Sequence, residues 1–170
     1  MLQDNDPFYL ERFIVAQSGQ LVNSSYETAL REIREEHKKS SHWMWYVFPQ
    51  LKCLCHSWYS KFYGITSIDE AKAYLSEPLL CDRLIEISKG LLNVEQPTDI
   101  SDIMGSPDDR KLQSSMTLFH YANPEIAVFA QVLRRFYGGA ECQKTVEFLL
   151  ERQYIEQEDD TNDRVSTTPT

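Results

Sequence analysis

A proline placed directly after a side chain able to cap a helix recurs along this chain. Asp6-Pro7, Ser106-Pro107 and Asn123-Pro124 each set an acceptor where the first N–H groups of a helix need one. The proline then stands where its missing N–H costs nothing. Pro78 opens a further helix, and Ser67 with Glu70 three residues on has the spacing of a capping box. Outside Met44 to Phe48 no stretch sustains the apolar–polar alternation of a strand. Helix starts this frequent, without strand patterning, constrain the chain to an all-α fold, read here as a single globular domain of about seven or eight helices.

The predicted helices follow from those signals. The first begins at Asp6-Pro7 and carries Phe8, Phe13 and Ile14. A second spans about 25–38, with Tyr26, Leu30, Ile33 and His37 on one face and a charged, solvated face opposite. A short helix or turn over 58–63 precedes Gly64, and helices follow over 67–75 and 78–92. One turn over 99–104 ends at Gly105. Helices over 107–121, 124–137 and 141–153 complete the domain, Gly138-Gly139 ending the second of them. The domain is expected over 1–154. Residues 155–170 are acidic, then rich in Thr, Ser and Pro, and read as a disordered tail.

A chain of 170 residues that is 42% hydrophobic can bury a core without disulfides or metals. Its net charge of −9 argues against a nucleic-acid partner, which would need clustered Lys and Arg. His37-Lys38-Lys39 reads instead as cationic charge at the negative end of a helix. Met1 to Gln20 holds Asp4, Asp6, Glu11 and Arg12 and no long apolar run, so no signal peptide or membrane span is expected there, and the protein is predicted to be cytoplasmic. The four cysteines are expected as free thiols. Cys53, Cys55 and His56 form a Cys-x-Cys-His cluster without a second ligand pair at finger-like spacing, so neither a metal nor a cofactor is predicted.

Chemistry concentrates in two places. Ser41 to Gln50 packs Trp43, Trp45, Tyr46 and Phe48 beside His42 and Gln50, and reads as a loop ended by Phe48-Pro49. In an extended segment Trp43 and Trp45 share a side, with Met44 opposite, and offer flat walls to a base, a nicotinamide or a cation. The alternative is that both plug the core. Burial among the rings would keep the His42 imidazole neutral and able to accept a proton, or His42 is a core histidine bonded to a neighbour.

The second place is the start of the 107–121 helix. Asp108 and Asp109 either cap it or accept hydrogen bonds from sugar hydroxyls or an amine, or hold His42 in one tautomer. Asp108, Lys111 and Ser115 fall on one helical face, where Lys111 would meet an anionic group. Otherwise Asp108 and Lys111 form an exposed ion pair, while Ser114 and Ser115 allow close helix packing.

The motifs Asp6-Pro7-Phe8, Leu10-Glu11-Arg12-Phe13, Ser41-His42-Trp43-Met44-Trp45, Phe48-Pro49-Gln50-Leu51, Gly105-Ser106-Pro107-Asp108-Asp109, Lys111-Leu112 and Ser114-Ser115-Met116-Thr117-Leu118-Phe119 closely resemble the helical family catalogued as domain of unknown function 1810. The resemblance runs from about Asp6 to Leu150. It implies one globular domain of several helices with the tryptophan and serine-proline-aspartate motifs as signatures, and no established activity. Some members carry a calpastatin-like label, though nothing here looks like an extended protease inhibitor. Relatives tend to have glycines where this chain has Cys53 and Cys55.

The functional expectation is therefore a small, nucleotide-like metabolite held between the two motifs, with Trp43, Trp45, Gln50, Lys111 and Ser115 binding it. Its hydrolytic version would cleave a glycosidic bond, with Asp108 or Asp109 stabilising positive charge and His42 handling a proton. The alternative is a non-enzymatic protein-interaction module using an exposed face or the acidic tail. A thiol-based redox or metal role would require Cys53 and Cys55 to be close and accessible.

Overall fold

Six consecutive residues of one helix, Ser114 to Phe119, are buried, so that helix is enclosed on every side. A helix in this position needs small or apolar side chains all round. Ser114, Ser115 and Thr117 supply the small ones, while Met116, Leu118 and Phe119 supply the bulk. The computed structural model describes residues 5–20 and 24–165. Among these, ten α-helices occur: α1 Glu11–Gln17, α2 Tyr26–Arg31, α3 Met44–Val47, α4 Trp58–Phe62, α5 Ile68–Ser76, α6 Pro78–Leu92, α7 Ile100–Met104, α8 Asp108–Ala122, α9 Ala127–Tyr137 and α10 Gln143–Val165. The enclosed helix is α8, packed by α5, α7, α9 and α10, while α6 packs on α5 and α9. The fold is all-α, with a single parallel β-bridge between Leu51 and Ile65 among the described residues. No helix among them is long and apolar enough to cross a membrane.

Several local departures from the sequence expectation have clear causes. Asp6 sits about a turn before α1, which starts at Glu11, its carboxylate accepting from the N–H groups of Leu10 and of Glu11 itself at 2.8 and 3.0 Å. Asn123 does the same upstream of α9, accepting from Glu125 N–H at 3.1 Å, and α9 starts at Ala127. Pro78 does open α6, and Ser67 caps α5 by accepting from Glu70 N–H at 3.1 Å. The Glu70 carboxylate takes other partners. It pairs with Arg12 at 2.9 Å, and Thr66 Oγ1 donates to it at 2.9 Å.

Arg12 and Glu70 are both buried. The guanidinium also donates to the carbonyls of Phe8, Tyr9, Phe62 and Gly64, so the buried charge is satisfied on all sides and ties α1 to α4 and α5. Gly64 is fixed by close approach. A Cβ there would lie 2.6 Å from the Lys52 Cα, where Lys52 N–H bonds the Ile65 carbonyl at 2.8 Å.

The last helix, α10, continues through the acidic stretch expected as a tail. Beyond Leu149 its side chains are exposed as far as they are described, through residue 162. This segment adds nothing to the core, as its want of apolar residues requires. Residues 166–170 lie outside the described ones.

Candidate functional site

The second helix does not run regularly to its end. At Glu32–Glu36 it widens into a π-type turn, the His37 N–H bonding the Glu32 carbonyl, and His37 closes it with φ 54°. That turn leaves Glu32, one position off the Ala29–Ile33 stripe, buried at 1% exposure. Its carboxylate then organises the chain that follows. It accepts from Ser40 N–H at 2.5 Å, Ser40 Oγ at 2.9 Å, Ser41 N–H at 2.7 Å and the Trp43 indole N–H at 3.1 Å. Burial alone would raise the carboxyl pKa, but these four hydrogen bonds together outweigh it and hold the group below the usual glutamate range.

The segment so fixed presents Lys39. Its ammonium reaches the Ser41 carbonyl at 2.7 Å and Asp108 Oδ2 at 2.8 Å, and lies 5.1 Å from the centroid of the Trp43 ring. Lys111 approaches the other Asp108 oxygen at 3.5 Å from one turn further along α8. Asp108 thus lies between two ammonium groups. Around this arrangement opens a cleft of about 280 Å³ lined by Lys39, His42, Met44, Trp45, Pro107, Asp108 and Lys111. The tryptophan motif and the serine-proline-aspartate motif therefore meet in space.

Only part of the predicted residue set faces this cleft. His42 lines it but is exposed, so the burial among the rings expected of it is absent. Trp45 lines it, half-buried, with its ring roughly parallel to Tyr59 at 6.1 Å and 23°. Trp43 does not share that side. Its indole is 0% exposed, bonded to Glu32 and packed on Phe48, and belongs to the core. The reason is that Met44–Val47 form a helical turn, with Val47 N–H bonding the Trp43 carbonyl and Phe48 N–H that of Met44. Residues two apart point in nearly opposite directions on a helix, whereas in a strand they share a side.

Asp109 does not line the cleft either. Its Oδ1 accepts from the Arg110 N–H at 2.9 Å, and its carbonyl accepts the Tyr137 hydroxyl. Ser115, seven residues beyond Asp108, is fully buried, and its hydroxyl has no hydrogen-bond partner in the structure. It therefore serves close packing of α8 and not ligand contact. Gln50 is half-buried beyond Lys111. With Trp45, Phe48, Cys55, Tyr63 and other residues it lines a void of about 10 Å³, room for one water at most. It also lines a separate cleft of about 680 Å³. Cys55 is buried, with its thiol 3.4 Å from the Leu51 carbonyl, while Cys53 is exposed, so the two are not accessible together. Burial pushes both thiols up in pKa, away from an activated thiolate.

Sequence reasoning missed Glu32 and Lys39. Nothing in a 3.6-residue period signals a π-type turn, and Lys39 read as helix-end charge. It also missed an exposed aromatic face. Tyr9, Trp58, Tyr59 and Phe62 are 57%, 70%, 55% and 39% exposed and touch one another through edge and stacked ring contacts.

Comparison with known proteins places the fold and the motifs together. The family described as "Protein of unknown function (DUF1810)" matches residues 7–149, and the chain belongs to that family. Among solved structures it is similar to the conserved hypothetical protein Rv1873 from Mycobacterium tuberculosis. That likeness has 43% identity and a TM-score of 0.79, covering 85% of this chain and 99% of the other. No functionally curated protein matches.

Proposed function

We propose that the cleft between the tryptophan motif and the start of α8 binds a small, ring-bearing anionic metabolite of nucleotide-like chemistry. The observation that carries this reading is the convergence of His42, Trp45 and Asp108 with Lys39 and Lys111 on one cleft. Trp45 offers a flat ring face backed by Tyr59. Two ammonium groups against one carboxylate leave the lining net cationic, and Asp108 can still accept from a hydroxyl or an exocyclic amine. At about 280 Å³ the cleft lies at the small end for ligand sites, which suits a base or nucleoside better than a larger molecule.

Binding, not glycosidic hydrolysis, is what this lining supports. A two-carboxylate mechanism needs a second acid across the scissile bond, and Asp109 lies outside the cleft.

The test is a thermal-shift panel of nucleosides, nucleotides and nicotinamide dinucleotide. A ligand at a hundredfold its Kd stabilises by about 2.7 kcal/mol, several degrees for a domain of this size. Trp45→Ala and Asp108→Asn should each abolish the shift with the fold intact. A panel without any shift, or a hit indifferent to both variants, refutes the reading.

A second reading has its own observation. The aromatic face of Tyr9, Trp58, Tyr59 and Phe62 is larger than single scattered apolar residues, and such faces mark interaction sites. Three of its four residues belong to a stretch, 37–68, with four lysines and no Asp or Glu in a chain of net charge −9. An acidic segment of a partner protein fits it. Trp58→Ala should then abolish binding to an acidic, aromatic-containing peptide while sparing the ligand cleft, and equal binding by this variant sinks that reading.

A further inference from the structure

The cleft of about 680 Å³ lies beyond Lys111, which lines it together with Pro107, Gln50, His56, Arg110 and Lys144. Pro107 and Lys111 also line the smaller cleft, so the two are neighbours across the first turns of α8. Its charge is unusual for this protein. The chain has 26 acidic residues against 17 basic ones, yet three cations and an imidazole line this cleft with a single carboxylate, Glu141. Among the described residues neither Arg110 nor Lys144 has a carboxylate within ion-pair distance. Glu141 is the carboxylate an anion here would have to tolerate, and its Oε2 is buried without a hydrogen-bond partner.

Lys111 is already shared with Asp108, but Arg110 and Lys144 are uncompensated, and cations so gathered in one concavity repel each other and destabilise the fold slightly unless an anion neutralises them. We propose that this cleft is a binding site for a di- or triphosphate group. Arg110 presents a planar fork of donors to phosphate oxygens, and Lys111 and Lys144 act as point charges beside it. The volume leaves room for more than one phosphate. Resting on the reading above, the same ligand would lay its ring on Trp45 and carry its phosphates past Lys111, which makes its class a nucleoside di- or triphosphate. The chain's net charge of −9 argues against a long polyanion such as a nucleic acid as the occupant.

Calorimetric titration of the full chain with inorganic tripolyphosphate, adenosine and ATP separates the two ideas. Tripolyphosphate should bind the natural chain and Trp45→Ala equally and weaken at least tenfold in Arg110→Ala/Lys144→Ala. Both replaced side chains are exposed, so that variant should fold. Removing two exposed lysines elsewhere, Lys72→Ala/Lys89→Ala, should leave binding unchanged. Adenosine should show the opposite dependence, and ATP should lose affinity in either variant. Absence of tripolyphosphate binding, or an equal loss in the Lys72/Lys89 control, overturns the phosphate site. Tripolyphosphate binding without adenosine binding sustains the phosphate site and refutes the ring reading of the smaller cleft.

Discussion

Replacing Glu32 with alanine should cost this domain about 3–5 kcal/mol, although the residue touches no proposed ligand. The magnitude follows from its four donors. The Trp43 indole N–H is wholly buried and has no other partner, and stranding it costs about 1–3 kcal/mol. The Ser41 N–H is half-buried and bonded to a charged acceptor, a contact of about 1.5–3 kcal/mol. Ser40 is exposed, so water replaces most of what its two hydrogen bonds supply.

Urea unfolding of the natural chain, Glu32→Ala, Glu32→Gln, Trp43→Phe and the double variant measures this directly. Glu32→Gln keeps one acceptor but turns an NH₂ group towards donors, and should fall between the natural chain and Glu32→Ala. In the Trp43→Phe background the indole donor is gone, so Glu32→Ala should cost about 1–2 kcal/mol less. Because the carboxyl is held below its ordinary range, the unfolded chain binds its proton at higher pH than the folded one. The stability that Glu32 contributes is therefore present above the ordinary glutamate pKa of about 4.3 and is lost as pH falls through the lower, folded value. A loss under about 1 kcal/mol at neutral pH, or additivity with Trp43→Phe, refutes the claim that Glu32 holds this segment.

The remaining predictions concern the two tryptophans, the buried ion pair, the close glycine and the thiols. Trp43→Ala should destabilise by about 3–5 kcal/mol in urea titrations as a core truncation, whereas half-exposed Trp45→Ala should cost clearly less. Arg12→Ala leaves Glu70 charged and buried, so a loss of about 3–5 kcal/mol is expected in the same assay, with activity towards any ligand changed only through stability. Gly64→Ala drives a Cβ into the Lys52 backbone and should lower the melting temperature by several degrees while the same change at exposed Gly139, where the added carbon meets nothing but φ is 83°, is milder. A colorimetric thiol reagent at neutral pH should modify exposed Cys53 slowly and Cys55 only on unfolding, and rapid reaction of both would contradict the burial described.

The fold class and most of the helix map were legible in the residues alone. Those rest on local chemistry: Pro78 and the Ser67 cap start α6 and α5 as read, whereas α8 begins at Asp108 with Pro107, not Ser106, at its cap and no side-chain cap, and the absence of period-two alternation rules out a sheet. The residues also show which motifs concentrate chemistry, because dense aromatic, imidazole and carboxylate content is visible without coordinates. Which of those groups face one another depended on packing between segments far apart in the chain. A single helical turn in place of an extended loop sends Trp43 into the core and Trp45 to the cleft, and a π-type turn brings Glu32 inward. Both depend on how the chain packs against distant segments, which local propensity does not encode. Lys39 reaches Asp108 for the same reason. Its partner lies on α8, far along the chain, and only the packing of α7 and α8 against the segment fixed by Glu32 brings the two charges together.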